Sequence, residues 1–258
     1  GDDALHCDYT LNIGTEGTNG PDVTITTCSE GLEGAAVNVF SGNVSIQSTD
    51  DCINAANADL TDFAYALNIS GGTIAARSDS GDGFDSNGDL TISGGYVTVW
   101  TANAADNEPL DADGTVTVSG GTVLAAGGSS GMGMNLVASQ PCVIFSGAAE
   151  MPGGNIQNGQ PSGEERSSGN EQPNGGERPD GEGQPAQGGS SGGASLLTQG
   201  GTFTVADSNG TSLYTGEAVY NASFVFFSSG DLSEGESYTL SSGETQTESA
   251  AQTGTVST

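Results

Sequence analysis

The chain contains no lysine. Three arginines and one histidine face 33 aspartates and glutamates in 258 residues, a formal charge of −30 at pH 7. Nucleic-acid binding needs Lys and Arg to neutralise phosphates, so that class of function is excluded. Long apolar runs are missing too: no stretch of about 18 hydrophobic residues could cross a bilayer as a helix. Cysteine is scarce, four residues with no C-x-x-C pair, which argues against a small disulfide scaffold, a zinc site or a redox motif. The chain opens at Gly1 without a charged segment followed by an apolar one, so any secretion signal is expected to have been removed or never included.

Glycine, by contrast, is abundant, at 43 residues, and its placement is periodic. Ser-Gly-Gly followed by x and a β-branched residue occurs at Ser70–Ile74, Ser93–Val97 and Ser119–Val123, with degenerate copies at Ser41–Val44 and Gln199–Phe203. Each full copy is preceded by an apolar-x-apolar pair (Leu67/Ile69, Leu90/Ile92, Val116/Val118) and followed by another (Ile74/Ala76, Val97/Val99, Val123/Ala125). Alternation at period two predicts strands with one buried face. A third element, a single apolar anchor among acidic and small residues, precedes each pair at Leu5, Leu32, Ile53, Phe84, Leu110 and Met132, with spacings of 27, 21, 31, 26 and 22 residues. Three short strands per unit with Gly-rich corners predict an all-β parallel β-helix, a solenoid of about six to seven rungs closed by a C-terminal β cap. An antiparallel sandwich also uses short strands, but it does not require anchor, strand pair and Ser-Gly-Gly to recur in phase.

The expected organisation is rungs over 1–150, a flexible Pro/Gly/Gln/Glu-rich insertion over 151–195, a final rung and β cap over 196–240, and a polar tail over 241–258. The insertion has almost no apolar residues to offset the entropy of ordering. The cap is expected because a solenoid end exposes unpaired edge strands.

Aligning rungs on the anchor reveals where the acids fall. Two places before it stand Asp3, Glu30, Asp51, Asp82, Glu108 and then Ser130; one place after, His6, Glu33, Asn54, Asp85, Asp111 and Gly133; three places after, Asp8, Ala35, Ala56, Asn87, Asp113 and Asn135. Stacked at ~4.8 Å, neighbouring carboxylates repel by ~1 kcal/mol in water and ~3–4 kcal/mol at an effective dielectric near 20. Either the carboxyls keep protons or cations lie between them. Calcium, which takes carboxylate, amide and carbonyl oxygens, suits the second case. The candidate ligands are Asp82, Asp85, Asn87 and Asp89 in one rung, Asp50, Asp51 and Asn54 before it, and Glu108, Asp111 and Asp113 after it. The absence of paired His or Cys argues against zinc and copper. Asp85–Asp89 opens like an EF-hand loop, but the twelfth position is Tyr96 and strands flank it.

The phrases Ser29–Gly34, Asp50–Ala55, Gly81–Gly88, Leu110–Gly114 and Gly127–Met132, recurring in order, resemble the secreted bacterial carbohydrate-binding domain-containing proteins. That resemblance implies a right-handed parallel β-helix similar to pectate lyase without established catalysis, binding of calcium and of polysaccharides, notably acidic pectin-type chains, and calcium ligands at Glu30, Glu33, Asp51, Asp82, Asp85 and Asp111. Cys52 stands where Gly is expected, and the low-complexity insertion is a further departure.

Three functions fit these features. The first is extracellular, cell-surface polysaccharide binding without catalysis. Strand parity turns Tyr96 and Trp100 outward, where rings can stack on sugars of an acidic pectin-like or a cellulose-like polymer, and calcium can bridge protein carboxylates to uronate carboxylates. The second is a lyase or glycosidase. A lyase needs a strong base near calcium, for which Arg77 is the candidate, while carboxylate spacing is uninformative because the ladders produce it automatically. The third is an adhesin or filament subunit in which identical solenoids stack end to end. Cys28 and Cys52, in adjacent rungs near equivalent corners, are disulfide candidates; free buried thiols are the alternative, and four cysteines allow three pairings.

Overall fold

In the computed structural model the described residues are 2–60, 62–102, 107–128, 135–147 and 195–256. The expected rung at Met132 and the expected insertion up to residue 194 lie outside them. Among the described residues there is no helix, and the strands are β1 (Leu5–Ile13), β2 (Asp22–Ile25), β3 (Leu32–Val39), β4 (Asn43–Ser48), β5 (Ile53–Ala55), β6 (Ala66–Ile69), β7 (Thr73–Ser78), β8 (Phe84–Ser86), β9 (Asp89–Ile92), β10 (Tyr96–Thr101), β11 (Thr115–Val118), β12 (Thr122–Gly127), β13 (Asn135–Ser146), β14 (Thr202–Asp207), β15 (Ser212–Glu217), β16 (Phe224–Ser228), β17 (Ser237–Ser242), β18 (Thr245–Ala250) and β19 (Gln252–Val256).

The apolar columns of the sequence become stacked parallel ladders. On one side β2, β4, β7, β10 and β12 pair in order, and on another β3, β6, β9, β11 and β13. The anchors stack as a third column: Leu5 beside Leu32, Leu32 beside Ile53, Ile53 beside Phe84, and Phe84 beside Leu110. Because residues in each column share one pleat direction, Val37, Leu67, Leu90, Val116 and Leu136 are all wholly buried in one core. Burying each such side chain contributes roughly 1.5–3 kcal/mol. The second glycine of each Ser-Gly-Gly forms the corner between the two longer ladders. Gly72, Gly95 and Gly121 have φ of 90°, 92° and 83°, and a Cβ on Gly95 would sit 2.9 Å from the Gly72 carbonyl oxygen of the rung before.

Among the described residues the stacked coils amount to about four turns. The larger number expected included a rung at Met132 and a final rung drawn from 196–240. Within that second stretch, Thr202–Asp207 pairs antiparallel with β15 and β17 in a separate four-stranded sheet, ordered β15-β14-β17-β18. Phe224–Ser228 inserts antiparallel between β12 and the second half of β13. Its alternation serves two cores: Phe224 and Phe226 enter the solenoid, while Val225 and Phe227 enter a second cluster with Phe203, Val205, Tyr238 and Leu240. A strand buried on both faces reads as an unbroken apolar run, which is what Phe224–Phe227 is.

The expectation of a polar tail from 241 onward is corrected by the structure. β18 completes the four-stranded sheet, and β19 pairs antiparallel with β13, covering the last rung with Val256 buried. These strands carry few apolar residues because they are edges, held by backbone pairing more than by burial.

Candidate metal centre

The register that stacks the anchors also stacks their flanks. His6 pairs with Glu33, Glu33 with Asn54, and Asn54 with Asp85; the Phe84–Leu110 bridge brings Asp111 next in line. The column two places before the anchor is tied from rung to rung by carboxylates accepting backbone N–H bonds. The Asp82 amide donates to Asp51 Oδ1 at 2.7 Å, and the Glu108 amide donates to Asp82 Oδ1 at 2.6 Å.

In the middle of the columns Asp82, Asp85 and Asp111 form a group, each offering a carboxylate oxygen within 4.8 Å of the others. Its electrostatics follow from crowding and partial burial. Asp82 and Asp85 are both pushed up to about 7, mainly by burial, with the charges of Asp51 and Asp111 adding to it. Asp51 is raised to about 6 by burial and by Asp50 and Asp111. Glu30 is raised to about 7 by burial, then by Glu33, Asp51 and Asp3, against the lowering effect of its bond from Asn54. Asn54 stands between these groups, 9% exposed. Its Nδ2 donates to Glu30 Oε2 at 3.1 Å, while its Oδ1 is buried with no hydrogen-bond partner.

A buried amide oxygen without a donor costs ~1–3 kcal/mol. The ladder neighbours of Asn54 are the acids Glu33 and Asp85, so the nearby column offers it no positive group. Gly81 adds to the confinement, since a Cβ there would lie 2.5 Å from Asp50 Oδ1 and 2.6 Å from Asp51 Oδ1. Hard carboxylate oxygens fit a calcium-type cation, and Asp82, Asp85 and Asp111 are the residues that could hold it, with Asp51 one rung before them and Asn54 and Glu30 further along the columns.

Other candidates fall outside this cluster. Asn87, Asp89 and Asp113 are exposed, and Asp89 Oδ1 accepts the Thr115 amide at 2.9 Å. Asp50 is exposed as well, its carbonyl taking the Ser48 and Ser78 hydroxyls. Glu33 belongs to a second group with Asp3 and His6 at the N-terminal rung. There the His6 Nδ1 lies 2.5 Å from Glu33 Oε2 and Nε2 lies 3.2 Å from Asp8 Oδ1, and these two bonds raise the imidazole pKa. Asp3 and His6 stood in the aligned columns, which was the available signal, but neither was among the expected ligands.

The chain matches the carbohydrate-binding domain-containing protein family over residues 18–238. It belongs to that family. No curated protein and no solved structure matches it. The aromatic pair expected to face sugar in this family member is divided. Tyr96 is 44% exposed and stacks on Tyr214, with ring centroids 6.4 Å apart and planes at 17°. Trp100 does point away from the solenoid core, yet it is only 4% exposed, because the C-terminal sheet covers it and Phe203 meets its ring edge-on at 5.8 Å. The expectation of a free Trp100 platform is thereby corrected. The proposed Cys28–Cys52 bridge is also absent: all four cysteines are thiols. Leu32 pairs with Ile53, so the ladder neighbour of Cys52 is Gly31, and the Cys52 carbonyl accepts the Leu32 amide at 3.0 Å. Cys52 Sγ meets the Ser48 hydroxyl at 3.2 Å, and Cys28 Sγ points to the Gln47 carbonyl at 3.5 Å.

Proposed function

We propose that this protein is an extracellular, non-catalytic polysaccharide-binding module whose binding depends on calcium held in the carboxylate columns. Family membership supports the carbohydrate half of this reading. The observation that carries the calcium half is the orphaned Oδ1 of Asn54, the ladder neighbour of Asp85, next to the Asp82, Asp85 and Asp111 grouping in a chain with no lysine. When bound, calcium supplies positive charge that cancels the mutual repulsion and can join protein carboxylates to those of an acidic, pectin-like polymer. Asp82 and Asp85 from one rung and Asp111 from the next present their oxygens together, and Asp51 and Asp82 hold the intervening backbone in register through their amide bonds. Right-handed winding belongs to the same proposal, since nearly all parallel β crossovers take that hand.

Arg77, the base that a lyase would need, stands on an outward sheet face beside Gln47, whereas the columns flank the anchor corner, so the geometry favours binding over elimination. End-to-end stacking of solenoids needs two free ends, and β16 and β19 cover the C-terminal one.

Calorimetric titration with calcium, followed by polygalacturonate in its presence, tests the reading. Calcium uptake and calcium-dependent polymer binding are expected. Absence of calcium uptake removes the proposal.

A further inference from the structure

Away from the carboxylate columns, the outward face of β2, β4, β7 and β10 carries a groove of about 310 Å³, within the ~300–1,000 Å³ range usual for ligand sites. Its floor is one row across four rungs, Thr24, Ser45, Ala75 and Thr98, which are successive ladder partners. Four rungs at ~4.8 Å give a trough roughly 14 Å long, running across the strands. Small side chains keep it open, and three hydroxyls line it, that of Thr98 donating to the Ile74 carbonyl at 3.2 Å and so left to accept from a ligand. The neighbouring row brings Gln47, Arg77 and Trp100 side by side, and Val219 of the C-terminal region lines it too. The adjacent Tyr220 hydroxyl bonds Asp79 of the corner after β7, tying that segment down.

Arg77 is the only arginine among the described residues, and it is exposed. One of its five N–H donors is taken by Gln47 Oε1, and a guanidinium fork is shaped to grip a carboxylate with two parallel bonds. Elsewhere a chain of this charge repels anions. Hydroxyl donors and acceptors in a linear trough beside a lone guanidinium match a sugar chain that bears carboxylates.

We propose that this groove is a second glycan site, independent of calcium, which takes a linear carboxylated chain: Arg77 grips one carboxylate while Thr24, Ser45 and Thr98 bond sugar hydroxyls. The inference rests on the polysaccharide-binding reading and goes beyond it in site, ligand charge and independence of the metal.

The test is calorimetric titration of the full chain with a galacturonate oligomer, in excess chelator and in calcium. In chelator the parent is expected to retain binding. Arg77→Gln is expected to weaken that binding at least tenfold, and Ala75→Phe, which fills the trough without altering charge, to do the same. Circular dichroism of Arg77→Gln matching the parent excludes misfolding, and if Ala75→Phe fails to fold, Arg77→Gln decides alone. Binding in chelator that both variants leave unchanged overturns the proposal. Binding seen in calcium but lost in chelator overturns it as well, while leaving the calcium reading intact. No binding in either condition overturns both.

Discussion

Asn54 distinguishes a metal site from a crowd of surface acids. In a merely solvated cluster, replacing Asn54 by Leu removes an unsatisfied oxygen together with the Nδ2 bond to Glu30, so the two effects offset and stability changes little. If that oxygen faces a cation, Asn54→Leu also loses a ligand. The expected result therefore depends on condition: in chelator the variant melts close to the parent, and in calcium well below it, with at least tenfold weaker uptake by titration. Asp85→Asn is expected to weaken uptake similarly while raising metal-free stability, because it discharges a carboxyl that Asp51, Asp111 and Asp113 press upon. Equal calcium affinities for parent and both variants would place the cation elsewhere. Asn54 was readable in the sequence as a column member, since register follows from the anchors. Its orphaned oxygen was not, because satisfaction depends on where Glu30 reaches. Trp100 shows the opposite limit: strand parity gave its direction correctly, but its cover is a sheet distant in sequence.

At the scale of elements, the corner glycines are tested most sharply by Gly95→Ala. The residue has φ of 92°, and the added Cβ would meet the Gly72 carbonyl oxygen at 2.9 Å, so both strain and clash are introduced. A loss of about 1–3 kcal/mol is expected from denaturant unfolding, against a smaller loss for Gly235→Ala, where a φ of 82° brings the strain but nothing lies within 4 Å to clash. β16 is the joint between the two cores, and truncating Phe226→Ala is expected to cost ~3–5 kcal/mol. The rungs were legible because stacking forces a repeat: each column must be apolar at the same phase, and each corner must be glycine. The C-terminal strands were not, because antiparallel pairing between β14, β15, β17 and β18 imposes no period on the chain. The edges β18 and β19 need only backbone partners, so 245–256 reads as polar even though it is paired throughout its strands.

For the whole molecule, the raised carboxyls set the dependence of stability on pH. Glu30, Asp82 and Asp85 keep their protons in the folded state up to about 7, and Asp51 up to about 6, whereas the unfolded chain releases them near ~4. Between those limits the folded state binds more protons, so stability falls as pH rises through the window. His6, also raised by its acidic partners, gives the same sign: its contribution is complete below the ordinary imidazole range and is lost above it. Asp207, held low by the Thr211 and Asn209 amides, acts oppositely, but only below the ordinary carboxylate range. In chelator the melting midpoint is thus expected to be highest near pH ~4 and to decline toward pH ~7.5. Calcium should reverse this, because it binds the deprotonated columns and stabilises by RT ln(1 + [Ca]/Kd), about 2.7 kcal/mol at a hundredfold excess over Kd. For a chain of this length that amounts to roughly 5–10 °C. The increment should be largest at pH ~7.5 and vanish near pH ~4, where protons already occupy the columns. A metal-free midpoint that rises steadily from pH ~4 to ~7.5, or a calcium increment that does not depend on pH, would mean that the columns do not carry the charge that the metal relieves.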